Sequence, residues 1–592
     1  MSDLGTQDKN KDGGGGGKHG TPINKNARDF FDYRFQQFRA EKSSWTAHEK
    51  QLVRNYMPRR GKFDASDRNK GQKQNQLNNN TPLFAKRTLR AGLMSGVTSP
   101  ARPWFKTASP DPDMAKNDRM KAWYEFLDQV VYRVFEAAGL YRVLPNTYEE
   151  LGVIGTAAMI QDEDFDNITS FMPFTVGEYY LDINGKLKVD TFGREYQRTV
   201  YQVIDEFGWD NCTNHVKSLY NSSNYSSAID LKHIIEPNIR KLDSFDMPDP
   251  EIFKWRSVVY ETSARNEGDG YLAIKGYREF PVHAPRWDTK PGDTYGNSPG
   301  MDGLGDSNAL QVQEREVGKA IAKMVTPPTV APTSLKNVQV SLLPGANNFT
   351  DDPNTVFRAI YQIDPKVQEL EMKIRATEDR INRAFYVDLF LMLANDTRNQ
   401  RATATEVAQK HEEKLLQLGP VLENLNDELL DPIVKRTVNM LVRASQPGWN
   451  GLTDFMVLPK PPQEIMDQIS EGQLKVEYIS VLAQAQKMVT TGATERWVGF
   501  VGNMSAIPGL ESVVDKVNGD EIAEKMADDL GVPNKSVNSD DKVEELREGR
   551  KQQEAQANQM AQAQGGADAA KTLSETDTTG SNLLSDVLGV GG

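Results

Sequence analysis

Apolar positions along this chain change period twice. From residue 27, ARDFFDYRFQQFRAEKSSWTAHEKQLVRNYM repeats Phe30, Phe31, Phe35, Phe38, Trp45, Leu52 and Val53 near the three-to-four spacing of a helix face. The polar run GKFDASDRNKGQKQNQLNNNTP predicts a loop. Helices are predicted again over 82–97 and 114–137, the second carrying Trp123, Phe126, Leu127, Val130, Val131 and Val134. Between about 140 and 290 the pattern shortens to strands. FTVGEYYLDINGKLKVDTFGREY places a turn at Asn184-Gly185 between β-rich flanks, a hairpin signal, and WRSVVYETSA and GYLAIKGYREFPVHAPRW continue in that style.

From residue 304 helical spacing returns. Asp306 or Ser307 can cap a helix in which Leu310, Val317, Ile321 and Val325 share a face, and TPPTVAP stops it. After an irregular or β-containing segment, Asp364-Pro365 opens a helix over 366–393 with Val367, Leu370, Ile374, Ile381, Phe385 and Leu389 in register, roughly 40 Å long at 1.5 Å per residue. The polar loop NDTRNQRATATE leads to another long helix from near Thr405 to Val442, with Pro420 and Pro432 as kink or break points. A helix–turn region covers 462–530. A Glu/Gln/Ala-rich helix then passes into a tail that closes on NLLSDVLGVGG. Residues 1–21 are rich in Gly and Lys and predict disorder. The fold class is α+β, mainly α.

Composition narrows the function. No apolar run approaches the roughly 20 residues that span a bilayer, and MSDLGTQDKNKDGGGGGKHG has no apolar core to predict export by a signal peptide. Cys212 is the single cysteine, which excludes an intrachain disulfide, a thiolate zinc cage and a CxxC pair. Net charge is −13, unevenly spread. Arg54–Lys106 holds twelve Lys/Arg against two Asp/Glu (+10), and the chain from Glu511 onward holds eight against seventeen (−9). Either a polar partner or two solvated faces of opposite sign accounts for this, and a protein this acidic is a poor candidate for tight DNA binding. Inside the basic stretch lies RAGLMSGVTSPARPWFK, which fits a membrane segment, a nucleic-acid surface or a buried corner of a large fold.

Four chemical motifs come close and fail. GNSPG at 296–300 matches GxSxG, but Pro299 follows the serine and has no N–H for an oxyanion hole. DEDFDN at 162–167 opens with calcium-loop spacing, yet position six is Asn167 and position twelve Pro173. HEKQL and HEEKL lack the second histidine of HExxH, which leaves His48 and His411 as surface-helix residues. In GGGGGKHG, His19 stands where a phosphate-binding loop needs a hydroxyl. These failures predict no enzyme, no metal and no cofactor.

The order of the segments does match a pattern. RAGLMSGVTSPARPWFK, YEELGVIGTAAMIQDED, REFPVHAPRWDTKPGDTYGNSPGMDGLGD and RATATEVAQKHEEKLLQLGPVLENLNDELLDPIV resemble, in this order, the blocks of podovirus portal proteins, the phage head-to-tail connector family, over roughly residues 25–555. The resemblance implies a ring of twelve subunits with wing, stem, clip and crown parts around a DNA channel at one capsid vertex. After a leader at 1–21, the wing would take 22–303, the first stem helix 304–325, the clip 326–364 and the second stem helix 365–393. A tunnel loop at 394–404 would follow, then a kinked helix and wing completion at 405–510, crown helices at 511–565 and a tail at 566–592. On this map Pro100 and Pro103 end a wing helix, Trp104 and Phe105 are buried, and the glycines allow close packing. A stacking role for Trp104 on nucleic acid would need an exposed ring instead.

The implied partners are other copies of the chain, double-stranded DNA in the channel, the terminase large subunit with its ATPase, major capsid protein and scaffold, the tail adaptor and internal ejection proteins, with no membrane. The implied location is the virion, after synthesis in the bacterial cytoplasm. Asn395, Arg398, Asn399 and Arg401 fall on the tunnel loop. Either they make weak, sliding DNA contacts that help retain the genome, or the arginines pair with Asp396, Glu406 or a neighbouring subunit. Another virion protein, such as a head–tail adaptor or tail component without a channel, remains the alternative, and stoichiometry separates the two.

Overall fold

The computed structural model describes residues 25–63, 77–111, 117–164, 166–239, 251–264, 270–326, 367–395, 417–445, 474–507, 510–529 and 540–575, with isolated residues between them. Helix α1 (Lys25–Tyr56) opens the fold, followed by α2 (Thr81–Gly96), β1 (Phe105–Ala108), α3 (Asp118–Ala137) and α4 (Leu140–Ile154). A strand-rich stretch continues with β2 (Ala158–Asp164), β3 (Ile168–Phe174), β4 (Tyr179–Ile183) and β5 (Val189–Thr199). Short helices α5 (Val200–Phe207) and α6 (Asn214–Asn221) interrupt it before β6 (Ala228–Pro237), β7 (Trp255–Glu261), β8 (Tyr271–Tyr277) and β9 (Val282–His283). The helical part resumes with α7 (Pro299–Asp302) and α8 (Leu304–Val325), and β10 (Thr329–Val330) pairs β11 (Arg358–Ala359). Then come α9 (Val367–Ala384), α10 (Val387–Asn395), α11 (Asp431–Ala444), β12 (Lys475–Tyr478), α12 (Val481–Ser505), α13 (Gly519–Asp529) and α14 (Asp540–Glu575).

Strands β4-β5-β6-β7-β8 form one antiparallel sheet and β3-β2-β9 a second. Helix α1 joins the sheets to the helical core. Its N-terminal half lays Phe31, Phe35 and Phe38 on Ile234, Val258 and Tyr260 of the large sheet. Its C-terminal half puts Leu52, Val53 and Tyr56 into a core shared by α2, α3, α4, α9, α10 and α11. The apolar repeat in the sequence therefore serves two different partners along one helix.

The expected hairpin lies between β4 and β5. Its loop is longer than a two-residue turn: Asn184 N–H donates to Lys188 O at 2.9 Å, and the Asn184 carboxamide accepts from Lys186 N–H and Lys188 N–H. Leu187 takes the left-handed conformation.

Five expectations need correction. Residues 140–154 are helical, not stranded. From Thr147 to Ile154 every residue is buried, so the segment shows no polar face to mark its period. Helices α5 and α6 likewise stand inside the stretch read as strands. Helix α8 is preceded by Gly303 and has no side-chain cap, because Ser307 Oγ donates to Tyr56 Oη at 2.7 Å and Asp306 pairs with Arg380. The second long helix breaks between α9 and α10, where Tyr386 is left-handed and Phe385 packs 5.1 Å from the Tyr56 ring. Finally, 475–478 is a strand, and it pairs with β1 far back in the chain. Of the two proline positions, Pro420 lies inside unbroken helix, and Pro432 follows a π turn over Asn426–Leu430 that is closed by Asp431 N–H on Asn426 O.

Candidate functional site

The four sequence blocks meet in space. Helix α2 carries Gly92 and Gly96 on the face where the chain is tightest: a Cβ at Gly92 would lie 2.1 Å from the Phe390 ring of α10, and one at Gly96 would lie 2.7 Å from Leu482 of α12. Glycine is required there by the neighbours, not by backbone conformation. Past α2, Pro100–Pro103 turns the chain. Trp104 and Phe105 are each 1% exposed, stacked among Tyr132 and Phe135 of α3. The Tyr132 hydroxyl accepts from the N–H groups of Trp104 and Phe105 and donates to Phe105 O, and the Trp104 indole donates to Tyr141 Oη at 3.2 Å. This run is a buried corner. Strand β1 then pairs β12, with Ile479 N–H on Trp104 O.

The second block joins the first through Tyr148 Oη and Thr98 Oγ1 at 2.8 Å. It joins the third where Ser298 Oγ donates to Val153 O and accepts from Met301 N–H. That hydroxyl is fully engaged in capping α7, and Gly300 sits against the Val153 backbone, so GNSPG is a packed corner and not a nucleophile turn. The third block reaches the fourth through Arg286, whose backbone N–H and guanidinium both bind Glu428 in the π turn, with Nε at 3.0 Å. DEDFDN ends β2, and Asp164 accepts from Asp166 N–H and Asn167 Nδ2 to close the turn. Among the described residues, no group of His, Cys, Asp and Glu has the arrangement of a metal site.

Much of the basic stretch is neutralised internally. Lys86, Arg90 and Arg60 converge on the buried Glu149, with Arg90 at 2.8 Å. Burial alone would push the Glu149 carboxyl up, but the three cations outweigh it and hold it below the usual range. Burial also lowers the Lys86 ammonium, against the pull of Glu149. Lys62 pairs with Glu178 and Lys106 with Glu477. Beside this cluster Glu150 is buried on Val176 N–H and Thr175, and burial raises its carboxyl to about 7.

Pattern reading gave no signal for a polar relay between the small sheet and α11. His283 Nε2 bonds Gln161 Oε1 at 2.8 Å, Gln161 Nε2 donates to Thr437 Oγ1 at 2.8 Å, and that hydroxyl donates to Ile433 O. Burial drops His283 to about 3, which keeps it neutral.

Helices α8 and α9 form an antiparallel hairpin. Its base is buried through Leu304, Leu310, Ile374, Ile381 and Phe385 and is tied by Arg380 on Asp306 and by Asn79 on Glu314 and Glu378. Its far half is open, with Ile321, Met324, Val325, Leu370 and Met372 all exposed. The apolar stripe read from sequence is thus covered at one end only. Of the channel residues read from sequence, Asn395 is the last residue of α10, and Arg398, Asn399 and Arg401 lie outside the described residues. His411, most of 326–364 and the segments 1–21 and 576–592 also lie outside them.

No helix among the described residues is long and apolar enough to cross a membrane. The family "Bacteriophage head to tail connecting protein" matches residues 28–537. The probable portal protein of Bordetella phage BPP-1 is 38% identical over 558 residues, covering 94% of this chain and 96% of that one. The portal protein of Salmonella phage epsilon15 is 38% identical over 565 residues, 94% and 97% respectively. A solved structure described as the neck of an empty GTA particle computed with C6 symmetry aligns at TM-score 0.32 and 9% identity, over 77% of this chain and 90% of that one, a likeness that carries no argument. Matched along nearly its whole length to two phage portal proteins, the chain belongs to the bacteriophage head to tail connecting protein family.

Proposed function

We propose that the chain is the portal subunit of a short-tailed phage, closing into a ring, twelve copies in the mature particle, at one capsid vertex. Double-stranded DNA is packaged and later ejected through that ring. The observation that carries the reading is near-full-length kinship with two phage portal proteins. The open hairpin supports it. Apolar side chains exposed on both α8 and α9 call for cover, and a neighbouring copy supplies it without any further protein.

Charge on the hairpin suits a DNA conduit. Helix α8 carries three acidic and three basic residues and α9 four of each. Duplex affinity rises with every phosphate neutralised, so a balanced wall lets DNA slide where a basic one would hold it. On this reading α8 and α9 are the stem, the paired ends β10 and β11 begin and end the clip, residues 22–303 form most of the wing, and α13 and α14 belong to the crown. The clip faces terminase and then the tail adaptor, and the wing faces capsid protein and scaffold. The tunnel loop follows α10. There Arg398 and Arg401, with Asn395 and Asn399, become rings of weak contacts that help retain the genome. The role is structural, with ATP hydrolysis left to a separate motor.

Light scattering with negative-stain microscopy of the purified protein tests the reading. Closed rings of about twelve copies with an open centre are expected, and a trimeric fibre overturns it. For the loop, particles carrying both Arg398→Ala and Arg401→Ala are expected to lose packaged DNA, and full retention removes that role.

A further inference from the structure

On the outer side of the signature corner lies a groove of about 620 Å³ between Pro100–Pro103, α3 and the start of α4. Three arginines from three elements line it: Arg102 from the corner, Arg133 from α3 and Arg142 from α4. All three are exposed, and none of the three guanidinium groups makes a hydrogen bond or ion pair with a described residue. Elsewhere in this part of the chain Arg60, Lys62, Lys86, Arg90 and Lys106 are each paired with a carboxylate. The groove also holds one acid, Glu136, and the neutral Gln129. Its floor is fixed, because the hydroxyls of Tyr132 and Tyr141 are committed to the backbone and indole of Trp104 and Phe105. Two prolines stiffen one rim, and the left-handed Gly139 turns the other, with Arg142 folded across it.

We infer that this groove receives carboxylates of helix α13 from a neighbouring copy of the chain. The inference rests on the ring reading above. The groove is sized for side chains and too small to admit a duplex, and guanidinium forks match carboxylates bidentately. Helix α13 presents Asp520, Glu521 and Glu524 against the single Lys525, and its one ion pair among the described residues is Asp520 with Arg547. Three unanswered cations and an acidic helix on the same chain satisfy each other head to tail, the geometry that closes a ring. A long polyanion is a worse occupant, because a protein of charge −13 repels it beyond the groove.

The test uses assembled full-length protein carrying Arg102→Lys or Arg133→Lys, mixed from isotopically light and heavy copies and treated with a carbodiimide. The introduced amine is expected to couple to an acid within 520–529 on a copy of the other label, with at least a fivefold loss of that product in 1 M salt. Arg133→Glu with Arg142→Glu is expected to lower ring yield at least fivefold, restored by adding Glu521→Lys and Glu524→Lys. Intact rings with couplings only within one copy, to other residues, or none at all overturn the inference and leave the ring reading standing. So does loss of the coupling when a short duplex DNA is added, which assigns the groove to phosphate. A wild type that never closes into rings overturns both together.

Discussion

The signature corner and the far half of the α8–α9 hairpin are both rich in apolar side chains, yet their surroundings are opposite. Trp104 and Phe105 are sealed by aromatic rings and every nearby hydroxyl is spoken for, whereas Ile321, Met324, Val325, Leu370 and Met372 stand in solvent. The corner is finished within one copy and its apolar area stabilises the monomer. The hairpin end is left open by the single chain, and on the proposed ring reading its apolar area contributes to association instead. Apolar content alone does not separate these roles, and burial within the single chain does.

The largest expected effect is at the corner. Trp104→Ala should cost about 3–5 kcal/mol of unfolding free energy, read from denaturant midpoints, because a large ring leaves a cavity that its packed neighbours cannot fill. Gly92→Val should cost about 1–3 kcal/mol, since its Cβ would meet the Phe390 ring, and Phe390→Ala in the same chain should recover part of that loss. A smaller signature is pH-dependent. His283 is held neutral when folded, at about 3 against 6.5 for a free histidine. Its contribution is therefore complete above pH 6.5 and is lost as pH falls toward 3, by up to about 1.4 kcal/mol per pH unit. His233, also buried and depressed, adds in the same direction. Comparing His283→Gln with wild type across pH 7 to 4 should show the gap in thermal midpoint narrowing as pH falls, and a constant gap would refute the assignment. The smallest stability effect belongs to the hairpin end. Ile321→Ser with Leu370→Ser should move monomer stability by no more than about 0.5 kcal/mol while cutting ring yield. A large loss of monomer stability there would erase the contrast between the two regions.

Where the chain shows a polar face, pattern reading located the helix. Helices α1, α2, α3 and α8 lie within a few residues of their expected places because each alternates buried and exposed positions at helical spacing. It missed α4 because Thr147–Ile154 is buried all round, and a residue with no solvent side carries no period. It missed the β1–β12 pair because the partners are some 370 residues apart, and four-residue strands have too little length to announce themselves. The break at Tyr386 was hidden for another reason. Phe385 and Leu389 keep helical spacing across it, while the Tyr56 ring and the Gly92 notch on either side fix a bend that no local propensity demands. The burial of the corner agreed with expectation, but which basic residues were paired could not be read from charge counts, since Glu149, Glu178 and Glu477 come from distant elements.

That left-handed residue has a mechanical consequence. It divides one rod into two arms of about 27 Å and about 13 Å, from the 18 and 9 residues of α9 and α10. The Phe385 contact with Tyr56 stands at the joint, and Phe390, wedged on Gly92, lies part-way along the short arm. Were the pair to tip as one body about that joint, a push on the far end of the hairpin would reach Asn395 at roughly half its amplitude and with roughly twice its force. On the proposed ring reading, a load on the hairpin would then arrive at Asn395 as torque.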